Sequence, residues 1–90
     1  MPSDQHLQHA RRELEECARL ADDELRDDLR ETAASFAAIV SGDQEADYAV
    51  IDEHLNALRQ AKGEADGEVT DGIDRALEYA EAYRTELEQG

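Results

Sequence analysis

Residues 21–29 read ADDELRDDL, and residues 65–73, 44 positions later, read ADGEVTDGI. The two stretches share four identical residues and two further positions where one apolar residue replaces another. In both, acidic residues precede apolar residues spaced four apart, which is the pattern expected where an amphipathic helix begins. The sequence therefore predicts that the chain turns just before each helix, at Leu20–Asp23 and again at Lys62–Asp66.

The same shift of 44 positions relates residues outside these stretches. It places Leu7 on Ile51 and Leu14 on Leu58. Because 90 residues allow only one domain, we interpret residues 1–90 as a single helical domain. Within it, residues 4–42 and 46–88 form a possible internal repeat.

Four segments carry apolar residues at the spacing of one helix face. Their stripes are Leu7, Ala10, Leu14, Cys17 and Ala21; Leu25, Leu29, Thr32, Phe36 and Ile39; Tyr48, Ile51, Leu55, Leu58 and Ala61; and Val69, Ile73, Ala76 or Leu77, Ala80, Tyr83 and Leu87. No stretch alternates with the period of a strand, so the sequence predicts an all-α protein.

Capping residues set the expected limits of these helices. Ser3, Asp22 and Asp43 are the predicted N-caps of the first three. The second helix is expected to close at Ser41–Gly42 and the third at Gly63, since glycine commonly follows a helix. Gly72 lies inside the fourth, where glycine weakens a helix by about 1 kcal/mol relative to alanine.

The repeat and the turns together predict a small antiparallel bundle of four helices, arranged as two repeated helical hairpins. An alternative has three helices, the first of which runs unbroken through residues 4–40. It requires the step from Ala21 to Leu25 and Leu29 to be a stutter in one continuous apolar stripe.

The charge is strongly unbalanced. Twenty-four Asp and Glu face nine Lys and Arg, of which only Lys62 is a lysine, and the net charge is −15. Self-repulsion of this size destabilises a compact state unless salt screens it, and at about 1 M salt the Debye length is only ~3 Å. This composition is typical of proteins that work in concentrated intracellular salt. Since no basic face is visible, we expect the chain to bind neither nucleic acid nor anionic membrane surfaces.

The first residues contain neither a basic segment nor an apolar run, so we expect no signal peptide. Cys17 is the only cysteine, which rules out an intramolecular disulfide. A single thiol fits a reducing compartment, and a cytoplasmic location is therefore expected.

The chain as a whole resembles the small acidic helical proteins of haloarchaea that are classed as domains of unknown function. The resemblance rests on the repeated motif Ala-Asp-x-Glu-[Leu/Val]-x-Asp-x-[Leu/Ile] and on the preference for arginine over lysine. It implies an all-helical fold and brings no activity, cofactor or catalytic residue.

The strongest candidates for chemistry are His6, His9, Glu13 and Cys17, which follow one stripe of the first helix. Imidazole, carboxylate and thiolate are ligands that zinc accepts. However, ligands that climb a straight helix over eleven residues cannot all converge on one ion. The Glu-x-x-His pairs of carboxylate di-metal bundles are missing from the sequence. We therefore predict no catalytic, cofactor-binding or metal-binding residues, and no cofactor.

Two classes of function remain. The first is a non-catalytic interaction or assembly module of a halophile cytoplasm, acting as a homodimer or with an unidentified protein partner. Large apolar residues that a small bundle is not expected to cover support it: Phe36, Ile39, Val40, Tyr48, Tyr79 and Tyr83. The alternative is an enzyme or small-ligand-binding protein whose site is assembled across helices.

Overall fold

A computed structural model describes residues 4–89, which form four helices. They are α1 (Asp4–Ala18), α2 (Asp23–Ser41), α3 (Tyr48–Glu64) and α4 (Gly67–Gln89). No strand occurs within this range. The prediction of two helical hairpins is confirmed, and the three-helix alternative is wrong because the chain leaves the helical conformation between α1 and α2. No helix in residues 4–89 combines the length and apolar character needed to cross a membrane.

Side chains of aspartate begin the second and third helices. Asp22 caps α2 as predicted, and its carboxylate accepts a hydrogen bond from the backbone N–H of Leu25 at 3.1 Å. The predicted cap Asp43 is wrong, because α3 begins four residues later and Asp47 accepts from the N–H of Val50 at 2.9 Å. The predicted cap Ser3 lies outside the described residues.

Asp43 instead belongs to the end of α2. Gly42 adopts the left-handed conformation with φ 89°, as its predicted position after the helix requires. The backbone N–H of Asp43 then points back to the carbonyl oxygen of Ala38 at 2.9 Å. Residue 43 is thereby used in closing α2 and cannot also begin α3.

The predicted stop at Gly63 is also wrong. The third helix continues through Gly63 to Glu64, and Ala65 follows in an extended conformation. The glycine with a left-handed backbone in this connection is Gly67, with φ 59°. The turn nevertheless falls inside the predicted range Lys62–Asp66.

The two halves of the chain bury matching positions. Residues 44 apart in sequence occupy equivalent places in the core, and both members of each pair are buried: Leu7 and Ile51, Leu14 and Leu58, Cys17 and Ala61, Leu25 and Val69, Leu29 and Ile73, Phe36 and Ala80, Ile39 and Tyr83. The bundle therefore has an approximate twofold relation between its hairpins. Whether it arose by duplication stays a prediction.

Candidate functional site

One opening in the bundle is a cleft between α2 and α3, which we call the α2–α3 cleft. It encloses about 420 Å³. Its apolar lining residues are Leu29, Leu58 and Ala61, which are buried, and the exposed Ala57; its acidic rim consists of Asp28, Glu31, Glu53 and Glu64. Thr32, Ser35, His54 and Gln60 complete the lining.

The cleft exists because two equivalent helix pairs pack differently. Under the 44-residue relation, the pair α1–α4 corresponds to the pair α3–α2. Yet α1 packs along α4 far more extensively than α3 packs along α2. The α1–α4 seam is therefore more closely packed than its α2–α3 equivalent, and the opening on it is smaller, at about 270 Å³.

The two seams differ at one pair of equivalent positions. In the α1–α4 seam Gly72 of α4 lies against Cys17 of α1, so closely that a Cβ at residue 72 would be 2.7 Å from the Cβ of Cys17. The equivalent residues of the α2–α3 seam are Asp28 and Ala61, which both line the cleft. Glycine permits the close approach of two helices, and the equivalent position of α2 carries the exposed Asp28 instead.

The rim of the cleft carries uncompensated negative charge. Its lining includes four carboxylates and neither lysine nor arginine. Within residues 4–89, none of these four carboxylates forms an ion pair.

Ion pairs between helices join α4 to α1 and to α3. Arg75 of α4 contacts Glu13 of α1 at 2.8 Å, and Arg84 of α4 contacts Asp52 of α3 at 2.6 Å. Further pairs join Lys62 to Asp74, Arg59 to Glu81 and His6 to Glu86. In the described part of the chain, no such pair joins α2 to either α1 or α3.

His54 contributes an unusual polar group to the cleft. Its ring packs edge-on against Phe36, with 5.6 Å between the ring centroids. Its Nε2 atom is buried, and no hydrogen-bond partner for it lies among the described residues. Burial lowers the pKa of His54, while nearby Glu53 and Glu31 act in the opposite direction, so the ring is neutral at pH 7.

The side chains considered as zinc ligands take part in separate contacts. The Nε2 of His6 lies 3.0 Å from Glu86, the ring of His9 stacks on Tyr79, and Glu13 pairs with Arg75. Across residues 4–89 there is no group of three or more metal-ligating side chains with suitable placement. The structure thus does not bring these four candidates together.

Cys17 is a core residue at the α1–α4 seam. It is almost fully buried, and its thiol donates to the carbonyl oxygen of Leu14 at 3.5 Å. Burial raises the pKa of the Cys17 thiol to about 11. The thiol is therefore protonated at neutral pH and is a poor nucleophile.

Most of the large apolar residues that suggested a homodimer are covered by the chain itself. Phe36, Ile39 and Tyr83 are buried in the core, and Val40 and Tyr79 are partly buried against it. Among the described residues, the large apolar side chains that remain exposed are Leu20, at 60%, and Tyr48, at 39%. The homodimer stays a prediction, with a smaller apolar surface to support it.

Sequence reasoning missed the α2–α3 cleft. The available signal was that the 44-residue shift aligns Gly72 with Asp28. A glycine in one half of the chain thus corresponds to a charged residue in the other half.

Comparison with known proteins adds a family to this description. No curated protein and no solved structure matches the chain. A family pattern does match, over residues 2–86. The chain therefore belongs to DUF7553, a family of unknown function.

Proposed function

We propose that this chain is a non-catalytic interaction module that binds a partner protein through the α2–α3 cleft. The observation that carries the proposal is the cleft itself, an opening between α2 and α3 at a seam that packs less extensively than the equivalent α1–α4 seam. Openings between the helices of a bundle are common places for binding sites.

The proposed setting is the cytoplasm of a haloarchaeon or another salt-accumulating halophile. The net charge of −15 and the single lysine support it. The ion pairs support it as well, because their side chains are mostly well exposed and such pairs contribute little to stability. Screening by salt then has to relieve the remaining repulsion.

An enzyme or small-ligand site would have to use the same cleft, where His54 is the only imidazole. A general base needs a nitrogen within reach of its substrate. The buried Nε2 of His54 and the contact with Phe36 instead fix the ring as part of the wall. These contacts favour binding over catalysis.

Photo-crosslinking tests the proposal. A photoreactive residue is placed at Ala57 in the cleft or, as a control, at Ala49 in the first turn of α3; both positions are exposed. Each protein is irradiated in a halophile lysate at about 1 M KCl. We expect a discrete protein adduct from position 57 and none from position 49. Equal labelling at both positions, or none at position 57 of a folded protein, would contradict the proposal.

A further inference from the structure

We infer that the α2–α3 seam opens in mild acid, because the protonated ring of His54 leaves Phe36 and the two helices separate at this contact. The inference goes beyond the proposed function, since it concerns the shape of the cleft and holds whether or not a partner binds there. Three observations carry it: an aromatic contact across the seam, a buried nitrogen without a partner, and the loose packing of the two helices.

The contact across the seam joins one ring from each helix. The imidazole of His54, in α3, meets the ring of Phe36, in α2, edge-on with 5.6 Å between the ring centroids. Phe36 is fully buried, so this contact ties α3 to the core of the bundle. The Nε2 atom of His54 is buried with it and has no hydrogen-bond partner among the described residues.

Protonation changes what the buried nitrogen needs. A neutral imidazole has one N–H donor, whereas an imidazolium that has taken a proton from water has two donors and a positive charge. A buried charged donor without an acceptor is far less favourable than a neutral ring in the same place. To reach water or a carboxylate, Nε2 of His54 has to leave its place beside Phe36, and the seam then loses the contact.

The charged groups that line the cleft around the ring are all acidic. They come from α2, as Asp28 and Glu31, and from α3, as Glu53 and Glu64, and no residue of α1 or α4 in the described part of the chain joins them in the lining. Burial is the largest influence on the pKa of His54 and lowers it, while Glu53 and Glu31 act in the opposite direction. Neither carboxylate reaches Nε2 while the ring packs on Phe36. Both can pair with the imidazolium once it has left, so they stabilise the separated helices.

The contacts on the other seams confine the opening to α2 and α3. Among the helix pairs within residues 4–89, these two pack least extensively, and no ion pair joins them. The ion pair of Lys62 with Asp74 helps to hold α3 on α4. Arg26 of α2 donates to the carbonyl oxygens of Ala18 and Ala21, which ties α2 to the end of α1. Loss of one aromatic contact therefore affects the α2–α3 seam first.

Distances between pairs of spin labels test the inference. Labels at Ala34→Cys/Gln60→Cys span the α2–α3 seam, and the 44-residue relation supplies the matched control Glu78→Cys/Glu16→Cys across the α1–α4 seam. All four positions are exposed, and Cys17→Ala removes the only native thiol. Pulsed electron paramagnetic resonance measures each distance in about 1 M KCl, between about pH 7.5 and pH 5.5, where histidine titrates and ordinary carboxylates stay ionised.

The expected result is a distance change at one seam only. As the pH falls below about 6.5, the pKa of an unburied histidine, a population with a longer distance across the α2–α3 seam should grow. The control pair should keep one distance throughout. The variant His54→Phe retains a ring beside Phe36 but cannot take up a proton, so its α2–α3 distance should not depend on pH. Circular dichroism at each pH verifies that the helices remain formed.

A constant α2–α3 distance in the parent would overturn the inference, because His54 would then titrate without opening the seam. Equal lengthening in both label pairs would overturn it too, since acid would then loosen the whole bundle. A change that persists in His54→Phe would assign the effect to other groups. None of these results decides whether crosslinking at position 57 captures a partner, so failure of this inference and failure of the proposed function are distinguishable.

Discussion

Replacement of Gly72 by alanine is the sharpest test of how the α1–α4 seam is built. Alanine is ordinarily better than glycine inside a helix by about 1 kcal/mol. Here, however, the added Cβ would lie 2.7 Å from the Cβ and 3.2 Å from the Sγ of Cys17. The nearer atom is fixed to the backbone of α1, so α1 and α4 would have to separate.

The magnitude follows from these two opposing effects. Overpacking a core costs about 1–3 kcal/mol, and a Cβ–Cβ obstruction belongs at the upper end of that range. Subtracting the helix-propensity gain of about 1 kcal/mol leaves a net loss of about 2 kcal/mol for Gly72→Ala. In a domain of this size, a change of 1 kcal/mol shifts the Tm by about 4–8 °C, so the expected decrease is about 8–16 °C.

Gly63→Ala is the matched control. Gly63 lies within α3, and an added Cβ would meet no atom within 4 Å. We expect this variant to gain about 0.5–1 kcal/mol. Thermal and urea unfolding, followed by circular dichroism in concentrated KCl, measures both variants. A Gly72→Ala protein as stable as the parent would refute the reasoning.

A second substitution identifies the atom responsible. Cys17→Gly removes the obstructing Cβ and should restore much of the stability lost in Gly72→Ala, which a double-mutant cycle would record as favourable coupling. Cys17→Ala removes only Sγ and should not. Equal rescue by both would assign the conflict to the sulfur instead.

Three further outcomes follow from the core and from the surface charge. The buried thiol of Cys17, with its pKa raised to about 11, should react with iodoacetamide at pH 8 far more slowly in the folded protein than in urea; equal rates would contradict its burial. Burial lowers the pKa of His54 in the folded state, so the unfolded state takes up a proton more readily. The neutral His54 ring therefore does not reduce the stability of the fold above its unfolded pKa of about 6.5, and stability is lost as the pH falls below that value. The urea midpoint should therefore fall more between pH 7 and pH 5 in the parent than in His54→Gln, and parallel profiles would count against this. Like charges spaced four apart on α2, such as Asp23–Asp27 and Asp27–Glu31, each cost a few tenths of a kcal/mol when unscreened, so the Tm at pH 7 should rise with KCl; cooperative melting at about 10 mM salt with no dependence on KCl would contradict the halophile proposal.

Local signals in the sequence were sufficient for the number and order of the helices. The break before α2 was predictable for two reasons. Asp22 is a good N-cap, and the 44-residue shift aligns it with Asp66 in the connection between α3 and α4. The start of α3 was not, since Asp43 and Asp47 have the same chemistry. The choice depends on Gly42, whose left-handed backbone directs the N–H of Asp43 back into α2.

Residue type alone was also a poor guide to the roles of two glycines. Gly63 was expected to end α3, yet its φ is not positive and the helix continues through it. Gly72 was expected only to weaken α4, yet its missing side chain allows the contact with Cys17. A glycine can serve backbone conformation or close packing, and a single helix stripe does not distinguish the two.

The α2–α3 cleft could not be predicted from periodicity. A stripe of apolar residues shows which face of a helix is buried, but it does not show how closely two helices approach. That distance depends on pairs from different helices, such as Gly72 with Cys17.

The most direct test of the α2–α3 cleft as an interaction surface is to map backbone amide chemical shifts during titration with the partner identified by crosslinking at position 57, in about 1 M KCl. We expect the shifted amides to cluster at residues 28–35 of α2 and 53–64 of α3, with the outer faces of α1 and α4 unchanged. Shifts that concentrate on α1 and α4, or that spread evenly over the acidic surface, would contradict binding in the cleft.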